Sequence, residues 1–173
     1  EMIHPFLDGN GRMGRLLITL FLASKKILHT PCLYISAYLQ RHRGAYYASL
    51  AKISKNNDWN TWISFFLRAV VEHSKANASL LMKMTDLYEI SKTQFAEATN
   101  SSLAMELLHY LFAQPIFTVP NLINQTKVKA SKATLLLAVQ KLEKAGLVTK
   151  ISEGRGRRPT VWKFGALVDL IQD

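Results

Sequence analysis

Residues 4–15 read His4-Pro5-Phe6-Leu7-Asp8-Gly9-Asn10-Gly11-Arg12-Met13-Gly14-Arg15, and the apolar run Leu16-Leu17-Ile18-Thr19-Leu20-Phe21-Leu22-Ala23 follows directly. An imidazole, a carboxylate, an amide, three glycines and two guanidiniums thus crowd the entrance of a predicted helix. Asn10 is a good N-cap, and glycines ahead of a helix let the backbone turn tightly and aim unpaired N–H groups at a phosphate. Arg12 and Arg15, three apart, share one helix face and can grip a second phosphate. His4 can accept a proton at neutral pH, and Asp8 is a hard oxygen ligand suited to magnesium. The bland alternative is a glycine-rich loop opening a core helix, with His4 capped and the arginines solvated. A short glycine-rich string would deserve that reading, but here mixed chemistry agrees in order over the whole stretch.

His4-Pro-Phe-x-Asp8-Gly9-Asn10-Gly11-Arg12-x-x-Arg15 resembles the signature of the Fic family at every defining position. The resemblance implies a mainly α-helical enzyme that transfers AMP from ATP to a Ser, Thr or Tyr hydroxyl of a target protein, with ATP and Mg2+ as cofactors. On that resemblance His4 is the catalytic base for the target hydroxyl, and Asp8 holds the magnesium that bridges the phosphates. Gly9, Asn10, Gly11, Arg12, Met13 and Gly14 form the nucleotide-binding loop, and Arg15 reaches the terminal phosphate. These roles are also what the chemistry requires, since phosphoryl-type transfer needs positioning, charge neutralisation and a base. Doc-like kinases resemble the pattern but carry Lys where this chain has Gly11, so Gly11 favours AMP transfer. A Fic core resembles a bundle in which several helices and a target-docking hairpin precede the signature. Only three residues precede it here, so the chain is expected to hold the catalytic loop without the front half of the catalytic domain.

The 173 residues suffice for a full core and fall between one domain and two. Apolar residues make up 49%, with 5 prolines and 8 glycines, which argues for a folded, helix-rich chain rather than a disordered one. The net charge of +10 favours a polyanionic partner, and nucleotide and nucleic acid both satisfy that. Cys32 is the single cysteine, which excludes an intrachain disulfide and fits a reducing, cytoplasmic setting. It has no metal-spaced partner and reads as a packed or half-exposed thiol. No apolar run approaches the ~20 residues of a membrane helix, and no basic region or cleavage site marks a signal peptide.

After the signature, the spacing predicts a helix from about Gly11 to Ile27, apolar on nearly every face and therefore central and buried. Pro31 forbids its continuation. Ser36 can cap a second helix in which Leu39, Tyr46, Leu50 and Ile53 form a stripe interrupted at Gly44. This Leu-Tyr-x-Ser-x-Tyr stretch, with a following Arg and the Tyr46-Tyr47 pair, is also similar to Fic proteins, in which the region approaches the base and ribose of the nucleotide; Tyr38 and Arg41 are the nucleotide-binding candidates it implies, although tyrosines at helical spacing more often belong to a core. Asn56-Asn57-Asp58 is a turn, with Asp58 as cap of a helix whose Trp59, Trp62, Ile63, Phe66, Leu67, Val70 and Val71 repeat as a core stripe. Ser74 to Thr99 reads as one long helix or two in tandem, and Asn100-Ser101-Ser102 as a boundary. Residues 1–100 are therefore assigned to the C-terminal part of a Fic-like catalytic domain.

Residues 101–173 have a different grammar. A helix at about Leu103 to Ala113, a short strand at Ile116 to Val119, a short helix at Pro120 to Gln125 and a helix from Ser131 to Ala145 precede strands Leu147 to Ile151 and Thr160 to Phe164. Arginine-rich Glu153 to Pro159 joins the strands. That order resembles a small α+β winged helix-turn-helix domain. In such a domain Ser131, Lys132 and Thr134 lie nearest DNA bases, and Arg155, Arg157 and Arg158 on the wing meet DNA phosphates or the minor groove. Thr149-Lys-Ile-Ser-Glu153-Gly154 matches the string of the Fic autoinhibitory helix, but it falls on a predicted strand and turn and is read as coincidence.

Three functions from different classes follow: a protein adenylyltransferase, a DNA-binding regulator whose nucleotide site is a sensor or relic, and an interaction module that recruits targets or forms a homodimer. The first accounts for most of the signature, with ATP and a hydroxyl-bearing target protein as partners, DNA as a further partner of the winged helix, and no membrane.

Overall fold

The computed structural model describes residues 4–28, 33, 35–125, 130–156 and 158–172. Among these residues the chain is mainly helical, with eight helices and one small antiparallel sheet. It divides into two compact units, Glu1–Ala78 and Ser79–Asp173. The dividing point falls inside a helix, whereas the sequence places its boundary at Asn100-Ser101-Ser102.

The first unit begins with α1 (Asn10–Ser24), α2 (Ser36–Arg41) and α3 (Arg43–Asn56), and contains the start of α4 (Trp59–Thr99). One interruption separates α2 from α3. It falls at His42, with φ −105° and ψ 34°, rather than at the expected Gly44, and the Tyr38 and His42 rings meet there at 4.2 Å. Asp58 caps α4 as expected: its carboxylate accepts the Thr61 N–H at 3.1 Å and the Thr61 hydroxyl at 2.6 Å. Those hydrogen bonds hold the Asp58 carboxyl below its ordinary range. Ile35, Tyr38, Leu39, Tyr46 and Ala69 form the core of this unit, with Leu50, Trp62, Phe65, Phe66 and Val70 against it.

Two expectations about burial are corrected. The signature helix α1 is not central. Leu16, Leu17, Leu20 and Phe21 are each about half exposed, and Asn10 is the one buried residue of α1. A helix that is apolar all round needs neighbours on every side, and the core of this unit is assembled by α2, α3 and α4. The tryptophan-rich stripe of α4 also splits. Trp62, Phe66 and Val70 pack inward, while Trp59, Ile63, Leu67 and Val71, each four residues from the next, form an exposed row.

The second unit takes the C-terminal part of α4, then α5 (Ala104–Ala113), β1 (Ile116–Phe117), α6 (Val119–Gln125), α7 (Lys132–Lys144), β2 (Thr149–Ser152), β3 (Val161–Lys163) and α8 (Gly165–Gln172). The two helices read between Trp59 and Thr99 are one, because no proline or glycine interrupts the run. The strand order is β1-β3-β2, all antiparallel, with Phe117 opposite Trp162 and Lys150 opposite Trp162 on the other side. Phe95 from α4, Leu107, Leu108 and Leu111 from α5, Leu122 from α6, Leu135, Val139 and Leu142 from α7, and Leu167 from α8 fill one core. Met84, Leu87 and Tyr88 also pack against it, which explains why the C-terminal half of α4 joins this unit. Lys141 donates to the Thr99 carbonyl at 2.9 Å and so satisfies the C-terminal end of α4. Helix α8 was not anticipated from the sequence, although Leu167 is fully buried by it.

Candidate functional site

The loop ahead of α1 is shaped by backbone geometry first. Gly9 is the N-cap, in the left-handed region at φ 83° and ψ 5°, where a Cβ is disfavoured. Asn10 was expected to cap the helix; instead it is the first helical residue and closes the loop. Its side-chain oxygen accepts the Phe6 N–H at 3.0 Å, and its amide nitrogen donates to the Phe6 carbonyl at 2.6 Å. The carboxamide thus replaces a strand partner for Phe6 and holds residues 6–10 as a tight ring. His4 also lies in the left-handed region, at φ 44°, which is rare for a residue other than glycine.

This loop and the first turns of α1 line a concavity of about 310 Å³, to which His4, Asp8, Gly11, Arg12, Arg15 and Tyr47 contribute. The first N–H groups of a helix have no intrahelical acceptor and point out of its entrance, so the concavity is rimmed by donors and cations. One carboxylate faces them. Asp8 accepts the Gly9 N–H at 2.6 Å through one oxygen and pairs with Arg12 at 3.2 Å through the other. The pair is solvent-exposed, at 92% and 75%, so it is worth at most about 1 kcal/mol and an incoming phosphate can open it at little cost. Asp8 is an accessible carboxylate on this concavity, a hard oxygen donor of the kind that could hold a divalent cation. Among the described residues no three His, Cys, Asp or Glu side chains gather as a closed metal cage.

Not every predicted loop residue reaches the concavity. Successive helical residues are 100° apart, so Gly11, Arg12 and Arg15 share a side while Met13 turns to the opposite one and Gly14 lies between. Met13 is partly exposed there.

Arg15 also borders an adjoining hollow of about 320 Å³, lined further by Ser36, Gln40, Arg43, Tyr46 and Tyr47. The Arg43 guanidinium lies over the Tyr47 ring at 5.5 Å. Tyr47 belongs to the Tyr-Tyr pair of the stretch similar to Fic proteins, whereas Gln40 and Arg43 are not singled out by the sequence. The spacing of three and four from Gln40 on α2 to Arg43 and Tyr47 on α3 carries a signal, but reading it requires knowing which side of these helices turns toward α1. The tyrosine and arginine that were singled out lie elsewhere. Tyr38 is buried in the core against His42 and Phe65, and Arg41 is exposed and acts on His73. Burial first and the Arg41 charge second push the His73 imidazole below its ordinary value of 6.5.

In the second unit Ser131, Lys132 and Thr134 form an exposed first turn of α7. Two of the three are already engaged with each other. The Ser131 hydroxyl caps the helix by accepting the Thr134 N–H at 3.1 Å, and the two hydroxyls lie 2.8 Å apart. Arg155 and Arg158 face each other in a bridge beyond β2 and β3, and both are exposed. Gly154 permits that turn: a Cβ there would lie 2.8 Å from the Arg158 carbonyl oxygen and 2.9 Å from the Thr160 nitrogen. Arg157, Cys32 and Pro31 lie outside the described residues. Thr149 to Ser152 is strand β2, and Glu153 pairs with Lys150 at 3.5 Å, so the autoinhibitory-like string is extended, as read.

Residues 1–22 match the Fic/DOC family model. The match covers the loop and most of α1 and is consistent with a transferase. Among the described residues no helix is long and apolar enough to cross a membrane.

Proposed function

We propose that the loop–helix entrance binds the triphosphate of ATP and supports transfer of AMP to a hydroxyl of a target protein. The observation that carries this reading is the convergence of His4, Asp8, the Gly9–Arg12 backbone and Arg15 on one concavity. The α1 entrance and Arg12 hold phosphate oxygens through N–H donors and charge, and Arg15 holds the far end of the chain of phosphates. Asp8 would hold a magnesium ion, and its charge would offset that of the phosphates. His4 accepts the proton of the target hydroxyl as its oxygen forms a bond to the α-phosphorus, the α–β anhydride bond breaks, and pyrophosphate leaves. Tyr47, at the shared edge of the two hollows, offers a ring face to the nucleoside. Incubation with a cell extract and ATP labelled at either the α- or the γ-phosphate tests this. Label is expected on protein from the α-position alone, and His4→Ala is expected to lower transfer by roughly 100-fold or more. Transfer from the γ-position, or unchanged transfer by His4→Ala, refutes the assignment.

A second activity rests on a separate observation. The order α5, β1, α6, α7, β2, β3, with the exposed α7 entrance and the Arg155–Arg158 turn, suits a winged helix that contacts DNA. Mobility shift with random duplex DNA is expected to weaken steeply with salt and to be lost on replacing Arg155 and Arg158 by Ala. Binding that ignores both salt and these arginines counts against it.

A further inference from the structure

Two pieces of chain supply the hollow at the α1 entrance, and they are built in different ways. The helical piece is set by its backbone: Gly9 turns the chain at φ 83°, and the Met13 N–H donates to the Gly9 carbonyl at 3.0 Å. Apolar packing does little to hold the upstream piece, residues 4–8. The Phe6 side chain is half exposed and Leu7 fully so. Yet this piece carries His4 and Asp8, each two residues from Phe6.

The Asp8–Arg12 pair ties the two pieces together, but both partners are exposed. A bound nucleotide claims each of them, Arg12 for phosphate and Asp8 for a cation, so this tie opens as the site fills. The Asn10 tie is of another kind. Asn10 is only 9% exposed; its side-chain oxygen accepts the Phe6 N–H at 3.0 Å and its nitrogen donates to the Phe6 carbonyl at 2.6 Å. Both ends of the carboxamide are engaged by one residue's backbone, so its orientation is fixed and little of it is open to a ligand.

We propose that Asn10 is a positioning residue: its carboxamide clamps Phe6 and so holds His4 and Asp8 over the phosphate cradle after the Asp8–Arg12 pair has opened, without itself ligating phosphate. This role rests on the triphosphate reading above and departs from the family resemblance, which counts Asn10 among the nucleotide-binding residues. What the clamp serves is alignment. A base must lie within hydrogen-bond reach of the hydroxyl it deprotonates, and a displacement of about 1 Å can cost about 100-fold in rate. Removing the clamp leaves the N–H groups and arginines of α1 in place and releases the segment that carries the base and the carboxylate.

The test compares the full wild-type chain with Asn10→Ala by calorimetric titration of ATP, once with EDTA and once with saturating magnesium, and by amide hydrogen exchange at Phe6. Wild type is expected to bind ATP at least tenfold more tightly with magnesium. Asn10→Ala is expected to bind metal-free ATP within twofold of wild type, while the factor by which magnesium tightens binding falls at least fivefold. Its Phe6 amide is expected to exchange at least fivefold faster. A direct phosphate ligand would instead move the affinities with and without magnesium alike. Asn10→Ser, whose oxygen stops one bond short of both Phe6 groups, is expected to show the same split, and it replaces Asn10→Ala if that variant disturbs the circular dichroism spectrum. With ATP bound by wild type, a metal-free loss beyond twofold, an unchanged gain from magnesium or an unchanged Phe6 exchange rate would each overturn the proposal. No binding of ATP by wild type would overturn the triphosphate reading beneath it as well.

Discussion

Asn10 and Tyr38 show what a single residue's identity does and does not reveal. The chemistry of residues 4–15 was legible because each group there has a narrow repertoire: an imidazole takes protons, glycines turn the backbone, arginines grip oxyanions. The internal wiring was not. Asn10 satisfies the rule for a cap, yet Gly9 takes that position at φ 83°, a conformation that costs glycine little, and the Asn10 carboxamide binds Phe6 instead. Tyr38 is chemically fit for a ligand and physically needed in the core. His73 carries a consequence of its own. Its folded pKa lies below 6.5, so the unfolded chain binds more protons between the two values. Stability is therefore full above pH 6.5 and falls as the pH drops through 6.5 toward the folded value. Comparing urea midpoints at pH 7.5 and 5.5, His73→Gln is expected to lose less than wild type; an equal loss in both proteins would contradict this.

Helices and strands were largely readable from period and punctuation: α5 ends just before Pro115 and α7 just before Gly146. Which side of a helix is covered was less readable. The rows of α1 and α4 look like core by spacing, but spacing defines a face and not its occupant, and Leu17 or Leu67 is exposed where no packed element meets it. Helix α7 provides the measurable contrast. Leu142 is fully buried among α5, α6 and the sheet, whereas Leu137, on the same helix, is 55% exposed. Leu142→Ala is expected to cost about 2–5 kcal/mol. Leu137→Ala is expected to stay within about 0.5 kcal/mol. Chemical denaturation of both variants checks the pair, and similar costs would show that the core has been drawn wrongly.

Across the molecule, charge and chemistry divide by place. The excess of cations in the sequence favours a polyanion without locating it; the structure distributes cations to the α1 entrance, to the α3–α4 groove and to the turn at Arg155 and Arg158. Each location makes its own demand, and only the first brings a base and a carboxylate to the same concavity. The account therefore depends on ATP being held there. Calorimetric titration of the full chain with ATP and magnesium measures that directly. One site is expected, weakened at least tenfold by Arg12→Ala/Arg15→Ala and left within twofold by Lys52→Ala. Absence of ATP binding by the wild-type chain, or equal affinity in the double arginine variant, would contradict the reading of residues 4–15 as a triphosphate cradle.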